Sequence, residues 1–199
     1  MPKLRHFFSL LAFIACHAAA PLAMSDRVER LQIYPVHYGT NSLNVNGREV
    51  MIVKGAYKTE TAAGGDQYFV LARQGAVWQL ARHGLGGHDS TMITTAPHTG
   101  EDAIVSLYFM IPKVRGPQVS DLYLLVADRQ FQNSIPEVTP VEFTLYVLER
   151  RNDDFGILYF RTVQKETAKE QYCSADLALY RELKIPLPYS GDERNYGCN

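Results

Sequence analysis

From residue 41 to residue 163 the chain alternates apolar and polar positions with a period of two, the spacing of a half-buried strand. The pattern predicts strands over 41–45, 49–57, 67–73, 76–83, 102–111, 121–128, 141–150 and 155–163. Asn46-Gly47 is a strong two-residue hairpin signal, and Gln74-Gly75 and Asn152-Asp153-Asp154 read as two more tight turns. Strands joined so closely pair antiparallel. Helix is expected only near the end, where Ser174-Ala175-Asp176 offers a cap with an acidic first turn. Leu177, Leu179, Tyr180 and Leu183 can then form an apolar stripe that Pro186 and Pro188 terminate. The expected fold is an all-β antiparallel sandwich of about eight to ten strands with a short C-terminal helix.

Before residue 24 the pattern changes. Lys3, Arg5 and His6 precede an apolar run over 7–15, and small residues follow from Cys16 to Ala20. This is the layout of a secretory signal peptide, with an apolar run too short to span a bilayer. Cleavage after Ala18, Ala19 or Ala23 keeps Pro21 away from the cut. Phe13-Ile14-Ala15-Cys16 also resembles a lipobox, so a lipid anchor on Cys16 stands as the alternative to plain export to the periplasm. Residues 24–199 are expected to form one domain, since no linker or repeat interrupts them.

Export changes the cysteine arithmetic, leaving Cys173 and Cys198 of the three in the chain. Two cysteines in an oxidising compartment favour one disulfide, a tie between the helix start and the polar tail worth about 3 kcal/mol. The formal charge of −1 gives no reason to expect nucleic acid as a partner. Twelve Tyr and nine Phe against one Trp suit half-buried strand faces.

Candidate chemistry is sparse. His83 and His88 flank a glycine-rich loop followed by Asp89, with His37 and His98 elsewhere, but neither H-x-H nor H-E-x-x-H occurs. The expected reading is a long hairpin loop with its histidines in solvent, with no metal and no cofactor. No G-x-S-x-G elbow and no serine with lysine three positions on is present. Glu101-Asp102 and Asp153-Asp154 are neighbours whose side chains point to opposite faces of a strand, and they read as solvated turn residues. Asn44 to Glu49 lacks the aspartates of a calcium loop and reads as a turn. Lys113 and Arg115 can meet an anion but read more simply as solubility residues. An enzyme is not expected. Ser120-Asp-Leu-Tyr123 matches the S-x-x-Y pattern of some bacterial lysozyme inhibitors, which makes Ser120 and Tyr123 candidate partner-binding residues.

The hairpin-rich body, the turn and strand from Asn44 to Val53, and the stretch Tyr159-Phe-Arg-Thr-Val163 followed by Lys169-Glu-Gln-Tyr-Cys-Ser-Ala-Asp-Leu-Ala-Leu-Tyr180 resemble the carbapenem intrinsic resistance (CarG-like) proteins of Gram-negative bacteria. The resemblance spans residues 30–183 as a pattern, and the tail over 184–199 extends beyond it. It implies a periplasmic β-sandwich, often a homodimer, that protects a cell from a carbapenem without catalysis, and a structural similarity to inhibitors of invertebrate-type lysozyme. Two functions follow as expectations: binding or shielding against a carbapenem, or inhibiting a lysozyme or other cell-wall-targeting toxin as a protein-binding inhibitor or immunity factor. The partner is accordingly a small-molecule antibiotic or a cell-wall-targeting protein.

Overall fold

The computed structural model describes residues 22–58, 64–85, 89–95, 103–113, 119–130, 137–151 and 156–188. Within them the chain runs α1 (Met24–Glu29), β1 (Leu31–Ile33), β2 (Gly39–Val45), β3 (Arg48–Lys58), β4 (Gly64–Gln74), β5 (Val77–Leu80), β6 (Met92–Thr94), β7 (Val105–Pro112), β8 (Tyr123–Arg129), β9 (Thr139–Arg150), β10 (Leu158–Tyr172) and α2 (Ala175–Leu183). All the strand pairs are antiparallel and build two sheets, one ordered β1-β7-β8-β9-β10, the other β2-β3-β4-β5 with β6 also on β4. The expected sandwich with its C-terminal helix is the observed fold.

The Asn46-Gly47 turn joins β2 to β3 with both residues at positive φ, 50° and 77°, the twist that suits a two-residue hairpin. The sheets are stitched at two corners. Val45 bridges Val119 in parallel, with the Asn46 N–H donating to the Val119 carbonyl at 2.7 Å. Arg82 bridges Tyr159 in the same way, receiving a bond from Phe160 N–H at 2.8 Å and giving one to the Leu158 carbonyl at 2.9 Å.

Two cores result. Between the sheets lie Val50, Ile52, Val70, Ile93, Phe109 and Leu124, with Tyr68 tilted against Phe109 at 5.5 Å between ring centres. On the other face of the first sheet, Leu125, Val141, Phe143 and Leu145 pack against Met24 and Val28 of α1 and Leu177, Leu179 and Leu183 of α2. Burying each of these large side chains contributes about 1.5–3 kcal/mol, which fixes helices too short to persist alone. Leu179→Ala would remove about 2–5 kcal/mol.

Several elements differ from the sequence reading. Helix is not confined to the end: α1 lies between Ala23 and β1. β10 continues nine residues past Val163, through register shifts between Thr162 and Gln164 and between Thr167 and Gln171. Helix α2 begins after Ser174, yet the Ser174 side chain makes no capping bond, and its buried hydroxyl has no hydrogen-bond partner among the described residues. It ends before the prolines, at Lys184 in the left-handed region (φ 59°), where Lys184 and Ile185 N–H groups bond back to Tyr180 and Leu179.

Candidate functional site

The registers of β7 to β10 lay out the inter-sheet face of the first sheet in rows. Phe109, Leu124, Tyr146 and Thr162 form one row, Leu107, Val126, Thr144 and Lys165 the next, and Val105, Asp128, Glu142 and Thr167 the last. The face therefore grades from apolar on β7 to polar on β9 and β10. Opposite the last two rows the second sheet is thin, ending in the three-residue β6 and the Gly84-Leu85 segment. A cavity of about 630 Å³ opens there, within the size range of small-molecule sites. Its apolar wall includes Leu107 and Val126, and its polar wall includes Thr144, Tyr146 and Thr162.

Among the described residues three charged side chains line it: Asp128, Glu142 and Lys165. Asp128 and Glu142 stand directly opposite each other across β8 and β9. The Lys165 ammonium reaches Glu142 Oε1 at 2.8 Å, while no hydrogen bond from the described residues reaches the half-buried Asp128 carboxylate. Burial pushes the Asp128 carboxyl above its ordinary range and the facing Glu142 charge adds to this, against the opposing pull of Lys165. Burial also raises the Tyr146 hydroxyl. The arrangement can hold a small ligand with apolar and hydroxyl contacts and one excess negative charge.

A second polar cluster lies along another part of the gap between sheets. Lys54 pairs with Asp66 at 2.9 Å under the rings of Tyr38 and Tyr68, its ammonium 4.6 and 5.5 Å from their centres. Tyr38 and Tyr68 hydroxyls donate to the same carboxylate at 2.8 and 3.2 Å. Burial works to raise Asp66, but the Lys54 and Tyr38 contacts outweigh it and hold the carboxyl below its usual range. Tyr57 hydroxyl and the Asp66 N–H fasten the neighbouring Thr95. The adjoining hollow is about 260 Å³. This cluster satisfies itself and reads as a polar plug in the sandwich.

The residues singled out from sequence are scattered. Cys173 is fully buried between β10 and α2 and is disulfide-bonded, and Cys198 lies outside the described residues. Ser120 is exposed near the β2–β3 turn and donates to Asp121 at 2.9 Å. Tyr123 packs instead against the core beneath the helices, and burial raises its hydroxyl. His83 is not in solvent: it is buried, its Nε2–H donating to the Met92 carbonyl at 2.9 Å and its Nδ1 accepting the Leu85 N–H at 3.2 Å. Both ring nitrogens are used in pinning the loop, and burial lowers the imidazole's affinity for a second proton. His37 N–H donates to Asn41, and His88 and His98 lie outside the described residues. Lys113 donates at 2.7 Å to the Glu29 carbonyl at the end of α1, whereas Arg115, Glu101-Asp102 and Asp153-Asp154 lie outside the described residues. Among the described residues no three His, Cys, Asp or Glu side chains gather as a metal site.

Asp128, Glu142, Thr144 and Lys165 escaped the sequence reading. Their one signal is the polar set Glu142, Thr144 and Tyr146 on a strand whose other face is apolar from Val141 to Val147, which by itself reads as a solvent face.

No protein-family model matches the chain, and no curated protein matches it. A solved structure, the crystal structure of CarG, is similar to it with a TM-score of 0.61 at 16% sequence identity, covering 78% of this chain and 98% of CarG. The chain thus shares a CarG-like fold.

Proposed function

We propose that this is an exported, non-catalytic protein that protects a cell against a carbapenem β-lactam by binding or shielding, with the drug held in the inter-sheet cavity. The observation that carries this reading is the cavity itself, about 630 Å³ between an apolar wall and a wall of hydroxyls, in a chain of CarG-like fold. Such a space suits a compact bicyclic molecule with hydrogen-bonding substituents. The family resemblance over residues 30–183 supplies the drug class. The inhibitor reading has less to stand on, since Ser120 and Tyr123 sit in different surroundings.

Calorimetric titration of the purified protein with a carbapenem, followed by chromatography of the recovered drug, tests the proposal. Saturable binding with intact drug is expected, and Thr162→Trp at the cavity rim should abolish it without lowering Tm. Absence of binding, or consumption of the drug, would overturn it.

A further inference from the structure

Resting on that reading of the cavity, we infer that the site selects ligands carrying a protonated amine, seated against Asp128. Among the described residues the charged groups on its wall, Asp128, Glu142 and Lys165, sum to one excess negative charge, and Lys165 pairs with Glu142 at 2.8 Å. Asp128 feels Lys165 only at a distance: it is half-buried, without a hydrogen bond or direct ion pair from the described residues, and set across the ladder from a second carboxylate. Like charges directly opposite on adjacent strands oppose folding. Elsewhere between the sheets the comparable carboxylate, Asp66, is fully bonded to a lysine and two tyrosines. The described residues therefore compensate one inter-sheet carboxylate by direct bonds and leave the other facing a ligand-sized space. An ammonium entering beside Val126 would give Asp128 the charged donor that no described residue supplies, while its carbon framework lies on Leu107 and Val126. A neutral ligand leaves the excess charge in place, and an anionic one adds to it.

Three probes separate this inference from the carbapenem reading: a carbapenem with a basic side-chain amine, its N-acetyl derivative, and benzylamine. The amine form should bind at least about tenfold more tightly than the acetylated one, the worth of one charge-assisted hydrogen bond. Asp128→Asn should erase that preference, and the acetylated drug, an anion through its own carboxylate, should bind the variant no less tightly than the native chain. Lys165→Met, which removes the competing resident cation, should move amine affinity the other way and strengthen it about threefold. A cooperative thermal transition in both variants, with Asp128→Asn melting no lower than the native chain, excludes a folding artefact. Equal affinity for the two carbapenems would overturn amine selection while leaving the proposed function standing. Benzylamine binding that needs Asp128, with neither drug bound, would uphold amine selection and overturn the proposed function. No binding of any probe overturns both.

Discussion

Glu182 of α2 accepts the Tyr172 hydroxyl at 3.1 Å and, through the same oxygen, the backbone N–H groups of Lys169 and Glu170 at 2.7 and 3.2 Å. Those two N–H groups belong to the irregular stretch of β10, where the ladder with β9 skips from Thr167 to Gln171. One carboxylate thus replaces the missing ladder bonds and clasps the helix to the strand end.

Glu182→Ala should therefore cost about 1–3 kcal/mol, measured by urea denaturation. Burial and the facing Glu182 carboxylate push the Tyr172 hydroxyl up from 10.0 to about 12. A folded value above the unfolded one means this contribution is intact below pH 10 and lost as the pH rises towards 12. Tyr172→Phe should flatten the alkaline fall in stability; an unchanged profile would refute the link.

Asp128 runs the opposite way to a stabilising carboxylate. Its folded value lies above 3.8, so its charge opposes folding once the pH passes that range, and the penalty is absent below 3.8. Asp128→Asn should raise stability at pH 7 by about 0.2–1 kcal/mol, the cost of like charges opposite each other in a ladder. The gain should vanish below pH 3.8. A loss of stability at pH 7 would contradict the assignment.

His83 should make the fold acid-sensitive. Burial holds its folded value below 6.5, so the unfolded chain takes up the proton first and stability falls as the pH drops below 6.5. Melting temperatures against pH should show this slope in the native chain and a shallower one in His83→Gln.

Cys173 is expected to pair with Cys198. Cys198→Ser should then lower stability by about 2–4 kcal/mol with the sheets still formed. Two free thiols per chain in native protein denatured without reductant would end the idea.

The outward face of the second sheet presents Met51, Val53, Phe69, Leu71, Leu80 and Met92 side by side across four strands. Helices α1 and α2 cover the other sheet, and the ion pair of Arg73 with Glu49 at 3.1 Å leaves this face without net charge at its edge. A second copy meets no like charge there, so the protein should be a homodimer by light scattering, and Phe69→Lys should make it monomeric. A native monomer at micromolar concentration would refute this.

By itself the sequence determined the elements whose causes are local. The alternation in β3, β4, β7, β8 and β9 marked strands, Asn46-Gly47 marked its hairpin through positive φ, and the Leu177–Leu183 stripe marked α2. Where the cause is distant, the sequence was silent. Six residues of α1 and three each of β1 and β6 are too short to show a period, and they exist because larger surfaces receive them. The edge portion of β10 past Val163 is polar on both faces, so no alternation announces it. The site was hidden for a related reason. Val141, Phe143 and Leu145 look like the face that should meet the other sheet, with Glu142, Thr144 and Tyr146 left to water. Only the tertiary structure puts the helices over the apolar set and turns the polar set inward across a gap, because the first sheet is covered on both of its faces.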